Sequence, residues 1–485
     1  MIVPITTNNE NGGANRIVFP GCAGDEIAAS VVPVSPHLSL IRRPRRTTNC
    51  RHLSRGEHVK ESFKQEVSLR RNREEAMQVV HERCAGLDVH KKSIYGCVLW
   101  FDEEGKKHQE IRSFGAVTAE LLRLADWLSQ HRVSYVAMEA TGVYWRPVWA
   151  VLEGQFELML VNPHHIKAMP GRKTDVKDCE WLADLLQHGL VRGSFVPPTE
   201  IQDLRDLTRY RTELTQAQNR VANRIQKVLE QANIKLSSVA SDTLGVSGRL
   251  MIEAIIAGED NPESLADLAK KRLRQRIPEL QMALSGRVRP HHRFLLKEHL
   301  EEWKALAERI RRVEQEIDRH IAPFEHAVTL WQTIPGIDRV TACSLVAEIG
   351  INMGQFPSAQ HLASWAGVCP GQNESAGKRM SGKTRDGDRW LRRALCQEAW
   401  AASHKKNCYF AGQFKRIAAR RGVKRALIAV AHAILIVVHT MLSKGASYHE
   451  LGGDYLEQIH KDQLQKYLIR RLQRLGLTVS VQPAA

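Results

Sequence analysis

The chain lacks C-x-x-C pairs and zinc-type cysteine spacing; its nine cysteines are odd in number and scattered. That leaves no disulfide framework to read and fits a reducing, cytosolic compartment. A secretory signal is also missing, and only one apolar run, Ala426 to Leu442, nears membrane-spanning length. His432 and His439 interrupt it, and it is shorter than the ~20 residues of a span. It therefore predicts a buried core helix, with two histidines that are helix residues rather than metal ligands, and no membrane partner. No Gly-rich phosphate loop is read with the strands, which removes support for nucleotide binding of that kind. Acidic charge is short as well: 53 Asp and Glu face 70 Lys and Arg, for a formal net charge of +17 and a pI of about 9.6. The excess favours a polyanionic partner such as nucleic acid, although basic chains also bind membranes or acidic proteins. At 485 residues the chain is longer than one core usually organises, so two or three domains are expected.

What is present is a set of four carboxylates at informative places. Asp88 ends the apolar run Cys84-Ala-Gly-Leu-Asp88, and Glu139 ends Tyr135-Val-Ala-Met-Glu139 before a turn signal. Asp175 and Asp178 are three apart at the start of a helical stretch, so both project from one helix face. Acids carried by separate segments in this order suit a ribonuclease H-like nuclease. Magnesium takes hard oxygen ligands and keeps room for phosphate oxygens, and two such ions stabilise both oxygens of an in-line displacement. The structural alternative is that acids at strand ends and helix starts only favour those helix termini electrostatically.

Along the chain, residues 1–76 are first Asn-, Gly- and Pro-rich and then basic, without a sustained apolar period. They are expected to form a disordered basic extension. Met77 is a candidate native start, and a nucleic-acid-touching arm is the alternative. Residues 77–198 read as an α/β domain, with strands at 84–90, 93–101, 109–114, 134–139 and 156–161 and helices near 118–131, 143–153 and 176–189. Short early links imply an antiparallel part, and later strand-helix alternation implies parallel crossovers. Residues 199–326 follow Pro197-Pro198 as a helical linker. Leu207, Leu214, Val221 and Val228 recur every seven residues, and Leu300, Trp303, Leu306, Ile310, Val313, Ile317 and Ile321 form a second stripe. Such stripes require a partner helix, whether within the chain or in a second copy. Between them, 240–293 reads as a helical insertion with Lys270 to Arg276 as a solvated basic face.

Residues 327–450 carry the second group of signals, and 451–485 form a tail. Ile334-Pro335-Gly336-Ile337 has the look of a helix-hairpin-helix turn, whose helix start offers backbone N–H groups to a phosphate. A flexible Gly/Ser-rich basic loop follows, with Ser375, Lys378, Arg379, Ser381, Lys383 and Arg385. The next helix adds Arg389, Arg392 and Arg393, and this concentration of cations suits a phosphate backbone. By itself, a serine in such a loop is ordinarily a turn residue.

Taken together, Gly86-Leu-Asp88, Glu139-Ala-Thr-Gly142, Asn162-Pro163, Lys173-Thr-Asp175-x-x-Asp178, Ile334-Pro-Gly-Ile337, Ala366-Gly-Val-x-Pro370 and Leu391-Arg-Arg-Ala394 resemble the Asp-Glu-Asp-Asp insertion-sequence transposases, whose relatives are guided by a bridge RNA. The resemblance covers roughly residues 80 to 445. It implies an α/β plus α chain: an RNase H-like, RuvC-like mixed-sheet domain, a coiled-coil linker and a mainly helical transposase domain. It implies further that Asp88, Glu139, Asp175 and Asp178 bind Mg2+, with Mn2+ as the alternative ion, and that Ser375 is a nucleophile attacking DNA, Ser381 being a weaker substitute. The partners it implies are DNA, an element-derived guide RNA and further copies of the chain as a dimer or tetramer. The location implied is cytoplasmic and nucleoid-associated in a prokaryote. Two rival expectations stand beside it: a structure-specific nuclease using water, and a non-catalytic nucleic-acid-binding protein on a decayed nuclease fold.

Overall fold

The computed structural model describes residues 79–481 except 141, 164, 165, 167–177, 372 and 460. The basic extension expected over residues 1–76, and Asp175, lie outside the described residues.

Five strands form one sheet: β1 (Arg83–Val89), β2 (Ser93–Phe101), β3 (Lys107–Gly115), β4 (Tyr135–Glu139) and β5 (Glu157–Val161). Their order is β3-β2-β1-β4-β5. β1, β2 and β3 pair antiparallel, and β4 and β5 add on parallel to β1. This is the mixed sheet expected from short early links and later crossovers. The parallel half needs long connections, which α1 (Thr118–Gln130) and α2 (Trp145–Leu152) supply. Alternating strand residues feed two cores. Ala85, Leu87, Val89, Ile94 and Val98 pack with Leu121, Leu124 and Leu128 of α1 on one face. Cys84, Cys97, Leu99 and Ala137 pack with α3 (Asp178–Gln187) on the other.

The two apolar stripes of the linker cover each other within the chain. α4 (Thr199–Gln231) and α5 (Pro290–Ile321) run antiparallel, since Arg211 contacts Glu314, Gln218 donates to the Trp303 carbonyl, and Arg224 pairs with Glu302. Leu214, Val221, Ile225 and Val228 are buried against Leu300 and Leu306. Leu207 is only partly buried and Tyr210 is exposed, because the stripe leaves the seven-residue line there for Leu204 and Thr208. The insertion between the two helices is helical, with Val246–Ala257, Pro262–Asp267 and Ile277–Leu284 capping the far end of the pair through Met251, Ile252, Ile255 and Leu280. Its basic stretch Lys271–Arg276 is a 3-10 turn with no buried residue.

At the near end, Ile201, Leu204, Ile317 and Ile321 enter a third core. It is built by α6 (Glu325–Gln332), α7 (Arg339–Ile349), α8 (Arg389–Ser403) and α9 (Val423–Lys444). α9 is the apolar run noted in the sequence. Ala426, Val430, Ile434, Leu435, Val438 and Met441 are buried in this core, and fully buried Trp331 donates its indole N–H to the Val438 carbonyl at 3.4 Å. The helix is long and apolar enough by composition to cross a membrane, yet its buried face is already taken by neighbouring helices.

Candidate active site

Asp88 and Glu139 end up side by side because β1 and β4 are parallel and in register, with Leu87 opposite Met138. Both carboxylates therefore leave the same end of the sheet, on the face that α3 covers. Gly86 lies two residues before Asp88 on that face. A Cβ there would sit 2.3 Å from the Cys179 carbonyl oxygen and 2.5 Å from the Ala183 amide nitrogen. Only glycine lets the helix lie this close, and the small neighbours Cys84, Ala137, Cys179 and Ala183 keep the whole contact tight. The Cys84 thiol donates to the Ala183 carbonyl at 3.5 Å across it. As the first described residue of α3, Asp178 is carried to the sheet end by this packing.

Burial pushes the Asp88 carboxyl above its ordinary range; His90 pulls it back in part, and Asp178 adds to the rise. His90 Nε2 stands 3.1 Å from Asp88 Oδ2. This histidine was not among the residues expected at the site. Its signal was the i, i+2 spacing, which puts both side chains on one face of a strand. Among the described residues no three His, Cys, Asp or Glu side chains stand close enough together to hold an ion, and Asp175 lies outside them. The carboxylate oxygens of Asp88, Glu139 and Asp178 are the kind of donor a hard divalent cation takes, with the His90 imidazole beside the half-buried Asp88.

The basic loop is more ordered than expected. β6 (Asn373–Ser375) and β7 (Lys378–Ser381) form an antiparallel hairpin in which Ser375 pairs with Lys378. Ala376 and Gly377 make the turn, both with positive φ of 49° and 75°. That is the geometry of a type I′ hairpin turn, so Ser375 is held at the tip of a hairpin rather than on a flexible coil. The side chains of Ser375 and Arg379 lie outside the described part. Residues Gly377 to Thr384 happen to spell G-x-x-x-x-G-K-T, a pattern the sequence reading passed over. Here Lys378–Ser381 is a strand paired in the hairpin and the next helix starts only at Arg389, so the strand-loop-helix cradle that gives the pattern its meaning is missing.

Lys378, Lys383, Arg385, Arg389 and Arg393 are exposed around this hairpin. Arg392 is half-buried and donates to Thr384 Oγ1 at 2.8 Å, tying the loop to α8. The Pro-Gly turn is packed differently from the expectation. Pro335 and Ile337 are buried, and a Cβ on Gly336 (φ +100°) would sit 3.0 Å from the Glu398 carbonyl oxygen and the Ala402 amide. The start of α7 is capped by its own Asp338, whose carboxylate accepts the Thr341 N–H at 2.8 Å. One amide of this helix start, that of Thr341, is therefore taken by a carboxylate of the chain.

Two buried polar features went unread. Glu348 of α7 is buried and accepts two hydrogen bonds from Arg209 of α4 at 2.8 and 2.7 Å, with Arg205 Nε at 3.4 Å. Arg209 also reaches Asp388 at 3.1 Å, and Asp388 caps α8 by accepting from the Trp390 and Leu391 amides. The network thus fastens the base of the long helix to the segment that follows the hairpin. The second feature is Glu398, buried in α8 and accepting from Thr341 Oγ1 at 2.5 Å. Burial drives its carboxyl up to about 7, the Thr341 bond opposing and Asp338 adding.

Asp88 and Glu139 leave one sheet end with Asp178 near Asp88, and the helical part carries a basic hairpin, a combination suited to an enzyme acting on nucleic acid; comparison with known proteins makes it a transposase. Residues 85–234 match a family profile described as a transposase of the Asp-Glu-Asp-Asp IS110 type, and residues 328–415 match the transposase IS116/IS110/IS902 family. The chain is 22% identical over 396 residues to the transposase for insertion sequence element IS1111A of Coxiella burnetii, covering 79% of this chain and 95% of that one. It is 25% identical over 283 residues to a probable family 20 transposase of Pseudomonas aeruginosa, covering 58% and 74%. A putative transposase of Sinorhizobium fredii is 24% identical over 326 residues, covering 66% and 75%. The chain thus carries two transposase domains of the IS110/IS116/IS902 type, one over its sheet part and one over its helical part. The first of these domain types implies use of a divalent metal.

Proposed function

We propose that this transposase cuts and rejoins DNA through a serine-linked strand, with the acidic sheet end and the hairpin as the two halves of one active site. The observation that carries the reading is the glycine-enabled approach of α3, which brings Asp178 to Asp88 while Glu139 stands on the adjoining strand. The sheet domain is taken as RNase H-like and RuvC-like on the strength of its β3-β2-β1-β4-β5 order. Asp88, Glu139 and Asp178, with Asp175, would hold Mg2+, Mn2+ being the alternative. When bound, the ion supplies charge stabilisation at the phosphate oxygens.

The protein's own groups perform the rest. Ser375 Oγ attacks a DNA phosphorus, a phosphate ester to serine forms, and the displaced sugar oxygen leaves as a hydroxyl carrying the serine proton. An incoming strand-end hydroxyl then attacks the same phosphorus, restoring a phosphodiester and returning the serine hydroxyl. Lys378, Lys383, Arg385, Arg389 and Arg393 neutralise the surrounding backbone. Among the described residues the principal packing of β6 is with β7, and that of α3 is with β1, β2 and β4. This favours acids of one copy working with the serine of another, in a dimer or tetramer. Sequence choice is assigned to an element-encoded RNA, and the enzyme is placed in the cytoplasm on nucleoid DNA.

The test incubates the full chain with its element-derived RNA, magnesium and labelled donor DNA, and resolves protein–DNA adducts under denaturing conditions. Wild type is expected to form an adduct that disappears in Ser375→Ala, Asp88→Asn and Asp175→Ala. Cleavage without an adduct that survives Ser375→Ala would instead establish a water-using nuclease. DNA binding with no cleavage by wild type would establish a non-catalytic binder.

A further inference from the structure

The β1–β2 hairpin carries an unusual combination immediately beyond Asp88. Its turn is closed by the His90 N–H donating to the Ser93 carbonyl at 2.9 Å, which puts Lys91 and Lys92 at the two central positions. Neither has positive φ, so the turn accepts most residue types and does not itself call for two lysines. Both are exposed, and among the described residues no carboxylate pairs with either. Tyr95 lies directly opposite Asp88 in the antiparallel register, on the same sheet face. It is 39% exposed, and its ring meets His90 edge-on at 6.2 Å between centroids. Cations, an open aromatic ring and a phosphate-directed carboxylate therefore share one hairpin.

We infer that this hairpin is a strand-gripping subsite, in which Tyr95 stacks an unpaired nucleobase beside the scissile phosphate and Lys91 and Lys92 hold the neighbouring phosphates. The ligand class is a nucleic-acid strand with at least one unstacked base. The placement suits it: β1 ends at Val89, one residue past Asp88, so the turn lysines lie immediately beyond the carboxylate along the hairpin. Every base has a π face, so a lone tyrosine grips any sequence, as an enzyme whose specificity lies elsewhere requires. The inference rests on the proposed phosphodiester chemistry only for the words "scissile phosphate"; the grip itself can be measured without cleavage.

The experiment uses the full chain in EDTA, with a single-stranded DNA probe and its RNA counterpart, each carrying one 2-aminopurine, read by fluorescence and by anisotropy over a salt series. Tyr95→Ala is expected to weaken binding roughly 5- to 150-fold, the range of one base on one aromatic ring, and to abolish the stacking-dependent fluorescence change. Tyr95→Phe is expected to retain both. Replacing Lys91 and Lys92 by Ala is expected to lower the slope of log affinity against log salt by about 1.4, at ~0.7 for each phosphate contact. A Tyr95→Ala protein with wild-type melting, affinity and fluorescence, or an unchanged slope in the lysine variant, overturns the grip. Asp88→Asn, assayed for donor-DNA cleavage with magnesium and for the fluorescence change in EDTA, separates the two readings. Loss of cleavage with the fluorescence change retained supports both, whereas cleavage retained by Asp88→Asn removes the proposed chemistry and leaves the grip standing. Comparison of the two probes shows whether the strand held is DNA or RNA.

Discussion

Replacing Gly86 by alanine should separate the catalytic geometry from everything else the protein does. A Cβ at this position would lie 2.3 Å from the Cys179 carbonyl oxygen and 2.5 Å from the Ala183 amide, both backbone atoms of α3 that cannot swing away. Restoring an ordinary contact of 3.4 Å requires α3 to back off by roughly 1 Å. Two costs follow. Forcing one methyl into a tight interface destabilises by about 1–3 kcal/mol, enough to lower the melting temperature measurably. More telling, a 1 Å displacement of a catalytic group costs on the order of 100-fold in rate, because Asp178 moves with the helix while Asp88 and Glu139 stay on their strands. Single-turnover cleavage of donor DNA, measured with binding affinity and a thermal melt on the same preparation, is the assay. We expect cleavage down about 100-fold, affinity within about twofold, and a cooperative melt. Wild-type cleavage with an unshifted melt would refute the claim that this glycine sets the distance between helix and sheet.

Two further outcomes follow from the buried polar groups. Glu348→Ala removes the buried carboxylate from half-buried Arg205 and Arg209, leaving Arg209 only Asp388, and should cost about 3 kcal/mol in urea denaturation, whereas Arg209→Met with Glu348→Met should recover most of it. A Glu348→Ala loss below 1 kcal/mol would mean that the pair is solvated. Glu398 gives a pH dependence. Its folded carboxyl lies at about 7, above the unfolded value of 4.5, so the fold binds the proton more tightly than the unfolded chain. Its contribution is fully present below about pH 4.5 and is lost as the pH rises to about 7, on the order of 3 kcal/mol in all. Urea melts across that window should show the decline in wild type and a flatter profile in Glu398→Gln, which keeps an acceptor for Thr341; identical profiles would contradict the assignment.

The parts of the fold legible in the sequence were those fixed by local period. β2 spans the expected residues 93–101 because nine residues of strand period end at turn signals, and α4 starts after Pro198 where a proline-marked break precedes an amphipathic stripe. Which partner covers that stripe was not legible, since periodicity says only that a partner exists. Residues far apart in sequence were also out of reach: Arg209 and Glu348 are 139 positions apart, and nothing local announces their pairing. Of the acids, Asp88 and Glu139 were readable as strand ends, but not their shared register. Gly86 read as a motif letter rather than as the space that admits a helix. The packing of the Pro-Gly turn against Glu398 and Ala402 was not legible either, since those residues lie more than sixty positions away. Asp338, three residues before Thr341, spells an N-cap and already signalled that one amide of the helix start was taken. The hairpin at Ser375 escaped because Ala376 stands where Asn or Gly normally marks such a turn.

The antiparallel pair of α4 and α5 also has a mechanical meaning. Thirty-three residues of α4 make a strut roughly 50 Å long, braced along its length by a second helix and bolted at one end through Arg205 and Arg209. Such a strut does not bend readily; it pivots. A tilt of about 6° at the bolted end sweeps the helical insertion at the far end through roughly 5 Å, about the spacing of one helical turn. Through the Arg209–Asp388 contact, a movement of that distant tip has leverage on the segment just after the β6–β7 hairpin.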